Sequence, residues 1–179
     1  MAAPLHRQFS DMTLAVQHWP GPLLMPASGL LLIGLRTPQG EDRTQARLLV
    51  RQALASVANV SAGAGVSISH ASGFSVAAVH RHGPVGIDLM RLEGGLIPDW
   101  KAVARDYLGP AAVARIAACN DDRRARCFAQ EWTRREAQLK RHGCGLVEWA
   151  DAPLMRDGSY SPLALQESYV GAVVIGSPD

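Results

Sequence analysis

The fold depends on one stretch of the sequence, Cys127-Phe-Ala-Gln-Glu-Trp-Thr-Arg-Arg-Glu-Ala-Gln-Leu-Lys-Arg-His-Gly143. The stretch lacks proline and its last turn is basic, so it predicts a helix with Gly143 as the left-handed C-terminal cap. Apolar side chains at helical spacing predict the buried stripe of this helix. They are Ala125, Phe128, Trp132 and Leu139.

A carboxylate interrupts this apolar stripe. Glu136 lies between Trp132 and Leu139 in the helical pattern, and a buried charge is so costly that it normally pairs, is neutralised or binds a metal. Lys140 lies one turn further and could be its partner, although glutamate and lysine at this spacing are also common on exposed helix surfaces. The helix alone leaves both interpretations open.

Size and composition indicate a globular protein. The 179 residues suffice for one domain, or for two small halves that share a core. A formal net charge of +2 is too small to indicate nucleic acid binding. The apolar run from Leu23 to Leu35 is too short to span a bilayer, and residues 1–7 lack the features of a signal peptide. We therefore expect neither a nucleic acid partner nor membrane insertion.

The cysteines predict no cross-link. Cys119, Cys127 and Cys144 are odd in number and lack the C-x-x-C spacing of metal sites. We expect reduced thiols and a cytoplasmic protein.

The order of elements predicts an α+β fold with strands and one long helix in each half. Strands are predicted at Met12–His18, Leu30–Arg36, Val66–His70, Phe74–His80, Val85–Asp88, Leu146–Trp149 and Tyr169–Ile175, with a turn near Arg156–Ser159. Helices are predicted at Glu41–Ala58, Asp99–Tyr107, Pro110–Ala118 and from Asp121 onward. This order is compatible with a duplicated unit in a single domain, residues 1–179, with approximate halves 1–88 and 89–179.

Two polar side chains are expected to meet at strand ends. A turn at residues 82–84 predicts a hairpin that joins Phe74–His80 to Val85–Asp88 and brings His70 close to Asp88. Taken singly, His70 is typical of a structural histidine and Asp88 of a residue that ends a strand.

Three arginines lie four residues apart on the helix predicted over Glu41–Ala58. Arg43, Arg47 and Arg51 form a cationic ridge, which could bind phosphates or remain a solvated stripe.

Three segments together resemble the motifs of one enzyme family. They are Ser67-Ile-Ser-His70, Gly86-Ile-Asp-Leu-Met90 and Trp132-Thr-Arg-Arg-Glu-Ala-Gln-Leu-Lys140. In order and spacing they are similar to the Ser-His strand, the Gly-x-Asp-x-Glu segment and the Trp-x-x-Lys-Glu-(Ala/Ser)-x-x-Lys motif of the Sfp-type 4′-phosphopantetheinyl transferases. The resemblance extends from about Val66 to Gly145.

The resemblance implies a pseudo-twofold pair of α+β halves with coenzyme A and Mg²⁺ in the cleft between them. Such enzymes transfer the phosphopantetheine arm of coenzyme A to a serine of an acyl or peptidyl carrier protein and release 3′,5′-ADP. A monomer is expected, because one chain supplies both halves of the cleft. The carrier would dock through an acidic helix, with Arg123–Arg126 as one candidate surface.

The resemblance also implies roles for individual residues. Asp88 and Glu136 would hold Mg²⁺ against the pyrophosphate, because Mg²⁺ is typically bound by one or two carboxylates together with phosphates. Lys140 would neutralise phosphate charge, and Glu136, acting directly or through a metal-bound water, is the candidate base for the serine hydroxyl. Ser69 and His70 would contact the 3′-phosphate of the nucleotide, and the further contacts implied for coenzyme A are Arg43 and Arg135.

The sequence departs from the family pattern at three places. Met90 replaces a second acid, and Arg135 replaces a lysine. The Gly-Lys-Pro hairpin has no match between Asn59 and Ile68, so one contact with the nucleotide would be either missing or supplied by Arg43 or Arg47. These departures motivate one alternative, a non-catalytic protein of the same fold that binds coenzyme A or a carrier protein. A second alternative is an unrelated α+β domain in which Glu136 and Lys140 form a surface pair.

Overall fold

The chain folds into two four-stranded sheets that pack against each other, and each sheet has a long helix on its other face. The computed structural model describes residues 12–40, 43–57, 63–92, 95–152 and 158–176. The strands are β1 (Leu14–Ala15), β2 (Gln17–Trp19), β3 (Leu30–Arg36), β4 (Gly65–Ala71), β5 (Phe74–His80), β6 (Val85–Arg91), β7 (Ser159–Ala164) and β8 (Tyr169–Ile175). The helices are α1 (Thr44–Ala55), α2 (Trp100–Val103) with a π-helical turn (Ala104–Leu108), α3 (Pro110–Ala117) and α4 (Asp121–Arg141).

One arrangement of strand, long helix and two strands occurs twice. In the first unit, β5 pairs antiparallel with β3 and with β4, and α1 packs on this sheet. In the second unit, β8 pairs antiparallel with β6 and with β7, and α4 packs on this sheet. The predicted α+β fold with two related halves is therefore confirmed.

The strand that carries Asp88 lies in the second sheet. The hairpin predicted from β5 into β6 is wrong, because β6 pairs with β8 and β5 pairs with β3 and β4. The connection is attached to a different sheet at each end: the Arg81 amide donates to the Gly29 carbonyl before β3, and the Gly176 amide after β8 donates to the Pro84 carbonyl. The chain thus passes from one sheet to the other just before β6.

Alternate residues of β6 face two different environments. Val85, Ile87 and Leu89 pack in the apolar core between the two sheets. Asp88 and Met90 therefore lie on the opposite face, where α4 packs.

Predictions at both ends of the chain need correction. The strand predicted at Met12–His18 divides at Val16 into β1 and β2, which pair with β7 and β3 in different sheets. Strand β7 was not predicted, because its buried face includes Ser159 and Ser161 and so lacks apolar alternation. Of the turn predicted near Arg156–Ser159, residues 156 and 157 lie outside the described residues.

The segment Leu146–Trp149 is not a strand. The Trp149 amide donates to the Asp106 carbonyl at 2.6 Å, and the ring of Trp149 packs over Gly109. Trp149 therefore attaches this segment to the helical region, and the segment does not pair in a sheet.

The prediction of three reduced thiols is also wrong for this structure. Cys119 and Cys127 form a disulfide, with Cα atoms 6.8 Å apart, and Cys144 is free. The turn between α3 and α4 brings the two cysteines together, and this contact cannot be read from their spacing in sequence.

Candidate active site

Helix α4 packs closely on β6 because residue 86 has no side chain. A Cβ at Gly86 would overlap the carbonyl oxygen of Ala137 and lie 2.5 Å from the backbone nitrogen of Arg141. The predicted helix and its cap are confirmed, since α4 ends at Arg141 and Gly143 has a φ of +68°. This close packing brings Lys140 of α4 to Asp88 of β6.

A cavity of about 670 Å³ lies between β4, β6, α4 and the start of α1. Its polar wall consists of Arg43, Ser69, His70, Asp88, Glu136 and Lys140. Its apolar wall includes Met90, Ile97, Val103, Phe128 and Trp132. The expected approach of His70 to Asp88 is confirmed to this extent, because both side chains line one cavity. Both structural halves contribute to it.

Asp88 is buried and its charge is paired. Asp88 is only 6% exposed. Its Oδ1 accepts hydrogen bonds from Ser69 Oγ at 2.8 Å and from Lys140 Nζ at 2.6 Å. The salt bridge of Lys140 thus goes to Asp88 on another element, and not to Glu136 on its own helix. This arrangement argues against the interpretation of Glu136 and Lys140 as a surface pair.

Glu136 lies in the cavity as a half-buried carboxyl group. Its pKa is raised, first by burial and then by the negative charge of Asp88, while Lys140 and Arg135 oppose the shift. Two carboxylates therefore repel each other across the cavity, which is a common property of catalytic and metal-binding sites.

The pair Asp88 and Glu136 fits a magnesium ion. Within the described ranges, no three His, Cys, Asp or Glu side chains are grouped so that they could hold a metal by themselves. Two carboxylates are nevertheless sufficient for Mg²⁺ when phosphates and waters complete its coordination. A divalent cation would also offset the repulsion that raises the pKa of Glu136.

The side of the cavity at His70 is cationic. The pKa of His70 is lowered by burial and, in decreasing order, by the charges of Arg43, Arg47 and Lys140. The His70 Nδ1 lies 2.8 Å from Ser75 Oγ, which fixes the ring. Several positive groups that disfavour protonation of a neighbouring histidine form a suitable site for an anion.

Arg135 and Met90 have different positions relative to this site. Arg135 does not line the cavity, since its guanidinium is buried and lies 4.9 Å from the ring centroid of Trp149. Its placement does not support the coenzyme A contact that the resemblance implied. Met90 does line the cavity, on the same face of β6 as Asp88.

Sequence reasoning missed the apolar wall of the cavity. Phe128 and Trp132 were assigned to the buried stripe of the helix, yet they also line the cavity. Their rings are stacked, with centroids 5.8 Å apart. The same helical periodicity predicts both a core and a cavity wall, so no signal in the sequence distinguishes them.

The basic segment Arg123–Arg126 is partly engaged in internal contacts. Arg124 pairs with Asp121 and donates to the Cys119 carbonyl, and Arg126 donates to the Glu167 carbonyl at 2.5 Å. Arg123 lines a small cavity beside the disulfide.

Comparison with known proteins finds a family model that matches part of the chain. Residues 84–169 match the model of the 4′-phosphopantetheinyl transferase superfamily, and this segment contains Asp88, Glu136 and Lys140. The match indicates a transferase of the phosphopantetheinyl type. No curated protein matches the chain. Among the described residues, no helix has the length and apolar character needed to cross a membrane.

Proposed function

We propose that this protein is an Sfp-type, Mg²⁺-dependent transferase that moves the 4′-phosphopantetheine arm of coenzyme A to a serine of an acyl or peptidyl carrier protein. The observation that carries the proposal is that Asp88 and Glu136, distant in sequence, line one cavity together with Lys140. The family match over residues 84–169 supports the same chemistry.

The polar wall of the cavity divides into two parts with different tasks. Asp88 and Glu136 would hold Mg²⁺, which would supply charge neutralisation at the pyrophosphate. Arg43 and His70 on the cationic side bind the phosphates of the nucleotide end. The lining of the cavity by these residues supports this division.

The transfer requires positioning, charge stabilisation and removal of one proton. The serine oxygen of the carrier attacks the phosphorus next to the pantetheine, and the bond to the bridging oxygen breaks, so that 3′,5′-ADP leaves with the electron pair. Lys140 stabilises the negative charge on the phosphates, and the Glu136 carboxylate accepts the serine proton.

The direct test is transfer to a carrier protein. Purified protein is incubated with coenzyme A, Mg²⁺ and an apo carrier, and the carrier is weighed by mass spectrometry. We expect the mass of the phosphopantetheine arm to be added, and not to be added with EDTA or with a carrier whose acceptor serine is alanine. Binding of coenzyme A without transfer would instead support the non-catalytic alternative, for which Met90 in place of an acid is the motivating feature.

Arg43→Ala is expected to weaken coenzyme A binding about tenfold, because it removes a charge-assisted contact to phosphate. Arg51→Ala is the matched control, since Arg51 lies on α1, which begins directly after Arg43, and does not line the cavity. Calorimetric titration with coenzyme A measures both variants. Equal affinities for the two variants would contradict the assignment of Arg43.

Coenzyme A binding is expected to take up a proton at His70. The pKa of His70 is lowered in the free protein by burial and by Arg43, Arg47 and Lys140, and a bound phosphate would raise it again. Affinity should therefore fall as the pH rises through the pKa of the bound state. Titration calorimetry in buffers of different ionisation enthalpy measures the proton uptake. His70→Asn should abolish it, the exposed His82→Asn should retain it, and uptake unchanged in His70→Asn would refute the assignment.

We further propose that the protein acts as a monomer in the cytoplasm, with an acidic carrier helix docking near Arg123–Arg126. One chain supplies both walls of the cavity, which supports the monomer. Disulfides are rare in the cytoplasm, and neither cysteine of the disulfide is among the residues that line that cavity.

A further inference from the structure

Ser69 uses all the hydrogen-bonding capacity of its hydroxyl within the protein. The residue is 5% exposed, and its Oγ donates to Asp88 Oδ1 at 2.8 Å. The same oxygen accepts from the Leu89 amide at 3.2 Å and from Lys140 Nζ at 3.3 Å. A hydroxyl has one donor and two acceptor sites, so none is left for a phosphate.

Ser67 provides an internal comparison on the same strand. It lies two residues before Ser69 on the same face of β4, and its Oγ accepts from the Ile87 amide at 3.0 Å. Both serines therefore connect β4 to backbone amides of β6, across the boundary between the two sheets. Only Ser69 also contacts the carboxylate of Asp88 and the ammonium of Lys140.

We propose that Ser69 is a positioning residue for Asp88 and not a ligand of the coenzyme A 3′-phosphate. Its hydroxyl, itself oriented by the Leu89 amide, holds Oδ1 of Asp88. Within the described residues, Oδ2 of Asp88 accepts no hydrogen bond and remains available to a cation. The proposal rests on the proposed function, because it assumes that Asp88 holds Mg²⁺.

Loss of this hydroxyl leaves Asp88 with Lys140 as its hydrogen-bond donor. The carboxylate can then turn toward the ammonium, and the orientation that serves the metal is no longer fixed. Groups that orient a metal ligand typically contribute 10- to 100-fold to metal affinity. We therefore expect Ser69→Ala to weaken Mg²⁺ binding by about 10- to 100-fold.

The experiment compares Ser69→Ala with Ser67→Ala in the full chain. Metal affinity is measured by titration with Mn²⁺ as a spectroscopic probe in the presence of coenzyme A, and coenzyme A affinity is measured with EDTA. We expect Ser69→Ala to lose metal affinity and to keep its metal-free coenzyme A affinity, whereas Ser67→Ala keeps both. At high Mg²⁺, the kcat of Ser69→Ala should recover most of its loss.

Three results bear on the proposal in different ways. Equal metal affinities for the two alanine variants would overturn the positioning role while leaving the proposed function intact. A tenfold loss of metal-free coenzyme A affinity in Ser69→Ala would also overturn it, in favour of a phosphate contact. A wild-type protein that binds neither Mn²⁺ nor coenzyme A would overturn the proposed function and this proposal with it. Ser69→Cys replaces the hydroxyl with a somewhat larger and weaker donor, so it provides a second comparison if the alanine variant does not fold.

Discussion

Glu136→Gln is expected to lower kcat/KM for transfer about 10³-fold or more, because it removes the proposed metal ligand and the proposed proton acceptor together. It should also stabilise the metal-free protein at neutral pH. The pKa of Glu136 is raised in the folded state by burial and by Asp88. Between the unfolded pKa of about 4.3 and the higher pKa of the folded state, the folded protein therefore binds more protons than the unfolded protein. The free energy of unfolding falls as the pH rises through this range. Glutamine does not ionise, so the variant avoids the stability that Glu136 loses on ionisation.

The measurement combines transfer kinetics with thermal unfolding in EDTA. Glu131→Gln is the control on the same helix, since Glu131 pairs with Arg115 and does not line the cavity. Asp88→Asn should abolish transfer as well, but it should lower stability, because the buried Lys140–Asp88 pair is broken. Full turnover of Glu136→Gln would remove Glu136 from the mechanism.

Gly86→Ala is expected to destabilise the fold by about 3 kcal/mol or more, because the new methyl group overpacks a backbone contact. The added Cβ would overlap the carbonyl oxygen of Ala137, and the nearby backbone of α4 cannot rotate away as a side chain can. Any displacement of α4 also moves Lys140 from Asp88, so we expect a loss of activity in the protein that remains folded.

Urea unfolding monitored by circular dichroism measures this effect. Gly145→Ala is the matched control, since a Cβ there meets no atom within 4 Å and its backbone is not left-handed. A Gly86→Ala protein as stable as Gly145→Ala would show that α4 does not depend on this contact.

The sequence was sufficient where a feature is local or where a motif marks it. Helix α4 was predicted from its periodicity, its charged ends and Gly143. The helix of the structure has an acidic first turn at Asp121. The meeting of Glu136 with Asp88 followed from the family resemblance, since no periodicity relates two segments so far apart in the chain. The carboxylate in an apolar stripe was the signal from the residues themselves.

The features that could not be predicted depend on contacts between distant segments. The pairing of β6 with β8 joins Asp88 to a strand more than 80 residues later, and the local turn at Gly83 favoured the wrong neighbour, β5. The disulfide depends on the angle between α3 and α4. The role of Ser69 depends on the approach of two sheet edges, whereas its Ser-x-Ser alternation indicates only that both hydroxyls share a face.

The division of the first strand at Val16 has a consequence for dissecting this protein. Leu14–Ala15 extends one sheet and Gln17–Trp19 extends the other, so a few consecutive residues tie the two layers together. We infer that the family-matched segment, residues 84–169, is not an autonomous catalytic fragment. Expressed by itself, it would keep both candidate metal ligands but lack Ser69, His70 and the strand that covers the free edge of β7.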